Sequence, residues 1–240
     1  MFKGRENFME NQSIQSLLQQ FPLFKDLSDE EMMPIVNLAK SHKYRAGTHV
    51  FMQDEPLTNV YFIQKGRIKI YRTDLQGKEQ IINILVSGQM FPHQGFFRKG
   101  NYPAHAQVLE DSSLILIPIQ SFEEFLMKNP QVCIKIFRIL GDLIVDLQNR
   151  LEEKILQNSY EQIISLLIRL ASNYGEEIGE QIFVIKNQFT NRDLANMIGS
   201  SRETVNRTLN QLKKKGLLRT DSAGHFIVNI EALKNELSIE

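Results

Sequence analysis

The stretch from Thr190 to Gly216, TNRDLANMIGSSRETVNRTLNQLKKKG, limits the possible folds most, because it carries start and stop signals for two helices set back to back. Thr190 and Asp193 form a capping pair, in which a hydroxyl and a carboxylate three residues apart each take a backbone N–H that the helix leaves open. Leu194, Ala195 and Ile198 then give a short first helix one apolar side, and Gly199 ends it. Ser200 with Glu203 predicts a second capping box and a helix running to about Lys215, closed by Gly216 in the left-handed position. Lys213, Lys214 and Lys215 fall in its last turn, where positive charge suits the helix dipole. A helix, a tight turn and a second helix must pack on each other, which is the helix-turn-helix arrangement.

The second helix has two unlike faces. Val205, Leu209 and Leu212 share one narrow arc at helical spacing and form the buried side. Glu203, Asn206, Arg207 and Asn210 occupy the opposite arc, flanked by Arg202, and these side chains suit base edges: Arg pairs with guanine O6 and N7, Glu accepts from the cytosine amino group, and Asn suits adenine. Ser200, Ser201 and Thr204 lie near the helix start, where hydroxyls and open N–H groups favour phosphate. From Lys186 to Arg219 there are eight cations against two acids, Asp193 and Glu203, although the whole chain has net charge zero. Concentrating positive charge in one segment is what attraction to double-stranded DNA requires. An ordinary helical hairpin with a solvated basic face, Glu203 serving only as a cap, is the plainer reading.

The run SRETVNRTLNQLKKKGLL resembles the DNA-binding signature of the CRP/FNR family of bacterial transcription regulators. The resemblance implies that Arg202, Glu203 and Arg207 are the principal base readers, in the R-E-x-x-x-R form of the cyclic-AMP receptor branch. The FNR branch usually differs where Arg202 stands, so a TGTGA-like half-site is expected. It also implies a homodimer on a pseudo-palindromic site, and contact with RNA polymerase if the protein activates.

With 240 residues the chain exceeds one typical domain. Short runs rich in β-branched and aromatic residues, Val50–Met52, Val60–Ile63, Ile68–Tyr71, Ile81–Leu85 and Leu114–Ile117, are separated by Gly47, Asp54–Pro56, Gly66, Gln76-Gly77 and Gly88. Such spacing predicts an antiparallel barrel or jelly roll. It agrees with the double-stranded β-helix, the cyclic-nucleotide-binding-like effector domain, of the family. The expected fold is α+β: helices and this barrel over residues 1–128, a dimerisation helix and hinge over 129–158, and a winged helix-turn-helix over 159–240. Ahead of the barrel, Ser13–Phe21 reads as a short helix, and Ser28 with Glu31 caps a second one ending near Ser41. Phe137, Leu140, Ile144, Leu147 and Leu151 recur at alternating three- and four-residue spacing, a coiled-coil seam continued poorly by Lys154 and then by Ile155. The competing reading packs this stripe onto its own barrel. Asn158-Ser159 marks the hinge, Tyr160–Tyr174 a helix, Gly175–Gly179 a loop, Gln181–Ile185 a strand, and Leu217–Val228 a hairpin wing turning at Asp221–Gly224.

The resemblance places the effector pocket between Gly88 and Ala106, with Phe91, His93, Gln94, Phe96, Phe97 and His105 as its side chains. Cyclic-nucleotide-binding members carry Gly-Glu for the ribose and Arg-Ser or Arg-Thr for the phosphate; here Pro92-His93 and Pro103-Ala104 stand at those places. A buried phosphate needs a cation and aimed donors, so cyclic AMP is not the expected effector. Arg98 and Lys99, the nearby cations, read as part of a surface turn. An FNR-type iron–sulfur cluster commonly takes four thiolates, and Cys133 is alone. Haem held by His93 or His105, and redox sensing at Cys133, are the weaker alternatives. A small-molecule effector of another kind is compatible with the chain. The five histidines show no metal-ligand spacing, so no metal site is expected, and the residues leave the identity of any cofactor open.

No P-loop, nucleophile elbow or His/carboxylate cluster is present, so no enzyme and no catalytic residue is expected. Met1–Gln12 is polar and no long apolar run follows, which predicts neither leader nor membrane anchor and a cytoplasmic protein. A signalling module whose Arg202–Arg207 face never meets DNA is the alternative from another functional class.

Overall fold

Pairing partners, more than local apolar pattern, decide where the strands of the first half begin and end. The computed structural model describes residues 14–98, 100–186 and 189–238; Met1–Gln12, Ser13 and Lys99, on which sequence expectations fell, lie outside them. The described residues fold into two units, divided between Ile144 and Val145.

The first unit opens with a helical turn, α1 (residues 14–18), and α2 (Asp29–Val36). Ser28 and Glu31 cap α2 reciprocally, as expected: Ser28 Oγ takes the Glu31 N–H and a Glu31 carboxylate oxygen takes the Ser28 N–H. The helix stops at Val36 instead of near Ser41, because Lys40–Tyr44 (β1) is claimed by antiparallel pairing with β8 (Ser112–Pro118). Its sequence, KSHKY, has no apolar alternation to announce a strand. Between them run β2 (His49–Phe51), β3 (Asn59–Lys65), β4 (Arg67–Thr73), β5 (Glu79–Val86), β6 (Met90–Phe91) and β7 (His105–Val108). Two four-stranded antiparallel sheets result, ordered β1-β8-β3-β6 and β2-β7-β4-β5. The short β6 and β7 were not legible; each is a few residues long and exists through its partners, β3 for one and β2 with β4 for the other.

Two apolar clusters hold this unit. Phe51, Tyr61, Ile63, Ile68, Phe91, Tyr102, Ala106 and Leu114 fill the space between the sheets. Phe24, Phe62, Phe122 and Phe125 join α1, α2, α3 (Ile119–Lys128) and the start of α4 (Pro130–Leu156) to the back of one sheet. Val132 and Ile136 are the buried residues of α4. Lys135 straps α4 to the turn between α1 and α2, donating to the Pro22 and Leu23 carbonyls at 3.1 and 3.4 Å and pairing with Asp26 at 2.7 Å.

In the second unit, α5 (Ser159–Tyr174) is opened by Asn158, whose side-chain oxygen takes the N–H groups of Tyr160 and Glu161. Gly175–Gly179, expected as a loop, is strand β9, paired antiparallel with β10 (Ile182–Ile185). Its glycines and acids hide it from propensity, and a tight hairpin with β10 makes it. The sheet order is β11-β12-β10-β9, with β11 (Leu218–Thr220) and β12 (Phe226–Asn229) forming the wing. A last helix, α8 (Ile230–Leu237), buries Ile230 and Leu233 in the apolar cluster that it shares with α5 and the helix-turn-helix. Among the described residues no helix is long and apolar enough to cross a membrane.

Candidate nucleic-acid interface

The first helix of the pair, α6 (Asn191–Ile198), begins as the sequence predicts. Thr190 Oγ1 takes the Asp193 N–H at 3.1 Å and Asp193 takes the Thr190 N–H at 2.9 Å. Gly199 then adopts φ of 65°, the left-handed turn that a side chain resists, so that the chain can reverse. The second helix, α7 (Arg202–Lys214), is capped one residue later than expected. Ser201, and not Ser200, is the N-cap, its Oγ taking the Thr204 N–H at 3.1 Å. Ser200 is spent on the turn, its N–H closing on the Ala195 carbonyl at 3.0 Å. With the frame moved by one, Glu203 becomes the second residue of the helix instead of the third, and its own backbone N–H, the Ser201 hydroxyl and the neighbouring Arg202 charge hold its carboxyl below the usual range.

The two faces of α7 separate as the spacing predicts. Val205, Leu209 and Leu212 are buried, with Thr208 also enclosed. Arg202, Glu203, Asn206, Arg207 and Asn210 are exposed together with Ser201, while Ser200 and Thr204 are half-buried. The Thr204 hydroxyl shares a hydrogen bond with Ser201 Oγ at 3.1 Å, so both hydroxyls at the helix start are oriented. Asn206 has a partner that no sequence signal offered: Asn191 at the start of α6 donates to its side-chain oxygen at 3.1 Å, fixing which amide atom faces outward.

The positive field is smaller than the residue count implied. Lys186 pairs with Glu176 and Lys215 pairs with Glu236, so two of the eight cations are partly neutralised by acids lying outside the counted stretch. Tyr160 donates to the same Glu236 at 2.8 Å and Lys215 lies 5.3 Å from the Tyr160 ring centre, tying α7 to α5 and α8. Lys213, Lys214 and Arg219 stay exposed. In the wing, Asp221 takes the N–H groups of Ala223 and His225 and pairs with the His225 ring at 2.8 Å, which sets the turn.

The six residues expected around an effector are dispersed. Phe91 stacks on Tyr61, centroids 5.2 Å apart, and beside it Phe51 stacks on Tyr102 at 3.7 Å, so rings fill the space between the sheets. Phe96 turns to Phe122 on the other cluster, whereas Gln94 and Phe97 are exposed. His93 is half-buried, and desolvation pushes its pKa down to about 4. His105 lies in β7 next to the core residue Ala106 and so faces the opposite side of the sheet. There it stacks on Tyr71 at 4.8 Å, and its Nδ1 accepts the Gln53 N–H at 3.1 Å. His49, hydrogen-bonded to Tyr71 at 2.8 Å, is its neighbour, so two histidines that sequence spacing left unrelated become adjacent strand residues. Among the described residues no group of three or more His, Cys, Asp or Glu could hold a metal ion.

Comparison with known proteins gives one matching family model within each of the two units. Residues 41–129 match the cyclic nucleotide-binding domain model and residues 161–236 match the Crp-like helix-turn-helix domain model. The chain belongs to the CRP/FNR family of transcription regulators. Among CRP/FNR relatives, the anaerobic regulatory protein of Bacillus subtilis is 27% identical over 210 residues, covering 87% of this chain and 88% of the relative. The CRP-like cAMP-activated global transcriptional regulator of Mycobacterium tuberculosis is 22% identical, covering 88% and 94%. In fold, FixK2 from Bradyrhizobium japonicum superposes with a TM-score of 0.70 at 22% identity, over 82% of this chain and 96% of that one. A CooA variant from Carboxydothermus hydrogenoformans gives 0.73 at 19% identity, over 92% and 94%. The CRP/FNR relatives are DNA-binding regulators, not enzymes.

Proposed function

We propose that this CRP/FNR protein is a homodimer that binds a pseudo-palindromic, TGTGA-like DNA site, with residues 1–128 as the sensing part, 129–158 as the dimerisation helix and 159–240 as the DNA-binding part. The observation that carries the reading is the outward face of α7: Arg202, Glu203, Asn206, Arg207 and Asn210 are exposed side by side on a helix whose other face is sealed into the core. In this reading Arg202, Glu203 and Arg207 meet base edges, Asn206 and Asn210 extend that face, and Ser200, Ser201 and Thr204 stand near phosphates. Dimerisation is supported by α4, where Phe137, Ile144, Leu147, Leu151 and Ile155 are all more than half exposed in the single chain. A protein that acts on the chromosome works in the cytoplasm, and an activator of this type also meets RNA polymerase.

Cyclic AMP is not the effector in this reading. The cassette positions hold Pro92, His93, Pro103 and Ala104, none of which supplies a cation, and the stacked rings of Phe51, Tyr102, Tyr61 and Phe91 fill the space between the sheets. An FNR-type cluster is not supported either, since Cys133 is the sole cysteine and its Sγ is directed at the Leu126 carbonyl, 3.2 Å away. The test is fluorescence anisotropy with a duplex carrying two inverted TGTGA half-sites beside a scrambled duplex. Arg207→Ala is expected to lose about 1–3 kcal/mol on the first and little on the second. An equal loss on both makes Arg207 a phosphate contact, and no preference in the unaltered protein refutes the site.

A further inference from the structure

The coiled-coil spacing of α4 reaches Lys154, where a charged residue breaks the apolar series. The structure gives that lysine another task. Its Nζ donates to the carbonyl of Ile198, the last residue of α6, at 2.9 Å, and lies 3.4 Å from the side-chain oxygen of Gln162 on α5. The Ile198 carbonyl is one of the groups a helix leaves open at its C-terminus, and it sits at the negative end of the α6 dipole. An ammonium group there is both a hydrogen-bond donor and a matched charge. The adjoining residue is Gly199, whose left-handed backbone begins the turn into α7.

Lys154 does not stand alone. Glu153, its neighbour, accepts both of its contacts from Arg169 of α5, at 3.2 and 2.9 Å, in a pair that is largely screened from solvent. One residue beyond α4, Gln157 takes the Ser165 hydroxyl on its side chain at 3.0 Å and the Gln162 amide on its carbonyl at 2.8 Å. Two residues at the end of α4 and the one just beyond it are thus fastened to the two helices that precede α7. The break at Asn158 lies inside this set of contacts, which join the end of α4 to α5 and to the last residue of α6 across it.

Resting on the reading of α7 as the DNA-contacting helix, we propose that Lys154 is a positioning residue for that helix, holding the Gly199–Ser201 turn from the end of the long helix without touching DNA. Two measurements on the full-length protein test this, using Lys154→Met, which keeps the stem and loses the donor, and Lys154→Arg, which restores a cationic donor. Without DNA, amide hydrogen exchange at Gly199 and Ser200, both bonded to the Ala195 carbonyl, is expected to quicken about threefold or more in Lys154→Met and to return toward the original in Lys154→Arg. With the inverted TGTGA duplex, Lys154→Met is expected to bind about three- to tenfold more weakly while the slope of log affinity against log salt is unchanged. A slope reduced by about 0.9 shows a phosphate contact and overturns the positioning role. Unchanged exchange in Lys154→Met overturns it whatever the DNA result. If the unaltered protein shows no preference for the duplex, the DNA reading fails, and the exchange comparison still decides whether Lys154 holds the turn.

Discussion

At the scale of single residues, the helix-turn-helix shows how a one-residue shift changes which side chain matters. Ser200 and Ser201 are adjacent and chemically identical, and either satisfies a capping rule on paper. Only Ser201 has its Oγ on an α7 backbone N–H, because the left-handed Gly199 uses up Ser200 in the turn. Ser201→Ala is therefore expected to cost about 1 kcal/mol in urea unfolding, whereas Ser200→Ala changes stability by less than about 0.5 kcal/mol. His93 makes a second prediction. Burial lowers its pKa from 6.5 to about 4, so the folded protein favours the neutral ring and the unfolded chain takes up the proton first as pH falls. Its contribution is present above pH 6.5, fades between 6.5 and 4, and amounts to about 3 kcal/mol when fully lost. Unfolding free energies measured at pH 7 and pH 4.5 should show this decline, and His93→Gln should flatten it. An equally steep decline in His93→Gln would assign the acid sensitivity to other groups.

At the scale of elements, the apolar residues of α4 divide into a buried stretch and an exposed one, and the proposed dimer concerns only the second. Val132 and Ile136 are buried near its start, and Leu140 is partly buried against the same cluster. Beyond them Ile144, Leu147, Leu151 and Ile155 remain exposed, which leaves a long apolar stripe in water unless another chain covers it. Sedimentation velocity is expected to show a dimer, and the double substitution Leu147→Glu with Leu151→Glu is expected to convert it to a folded monomer with weaker binding to the two-half-site duplex. A dimer that survives the double substitution would place the interface elsewhere. The same helix shows why spacing alone is incomplete: Lys154 breaks the seam pattern, and its reason lies 44 residues away at Ile198.

At the scale of the whole molecule, the proposal that cyclic AMP is not the effector has to be tested against the match to a cyclic nucleotide-binding domain. Stacked aromatic rings pack the interior of this barrel, and Pro92, His93, Pro103 and Ala104 stand where the proposed reading puts the cassette. A ligand present at a hundred times its dissociation constant stabilises a protein by about 2.7 kcal/mol, enough to raise the melting temperature of a chain this size by several degrees. Cyclic AMP at millimolar concentration is expected to shift it by less than about 1 °C. A larger, saturable rise would show that the rings yield to the nucleotide and that the cassette reading is mistaken.

The sequence by itself determined the helix-turn-helix, the apolar and polar faces of α7, the central strands of the barrel and the run of α4, because each is written in neighbours three, four or two residues apart. It did not disclose β1, β6, β7 or β9, whose residues carry little pattern and are strands only because another strand pairs with them. Nor could it show Asn191 holding Asn206, Glu236 pairing with Lys215, or His49 beside His105, since nothing in the order of residues encodes distances across the chain. Tertiary structure also chose Ser201 over Ser200, for a turn conformation is settled by how two helices pack, and the cap follows from the turn.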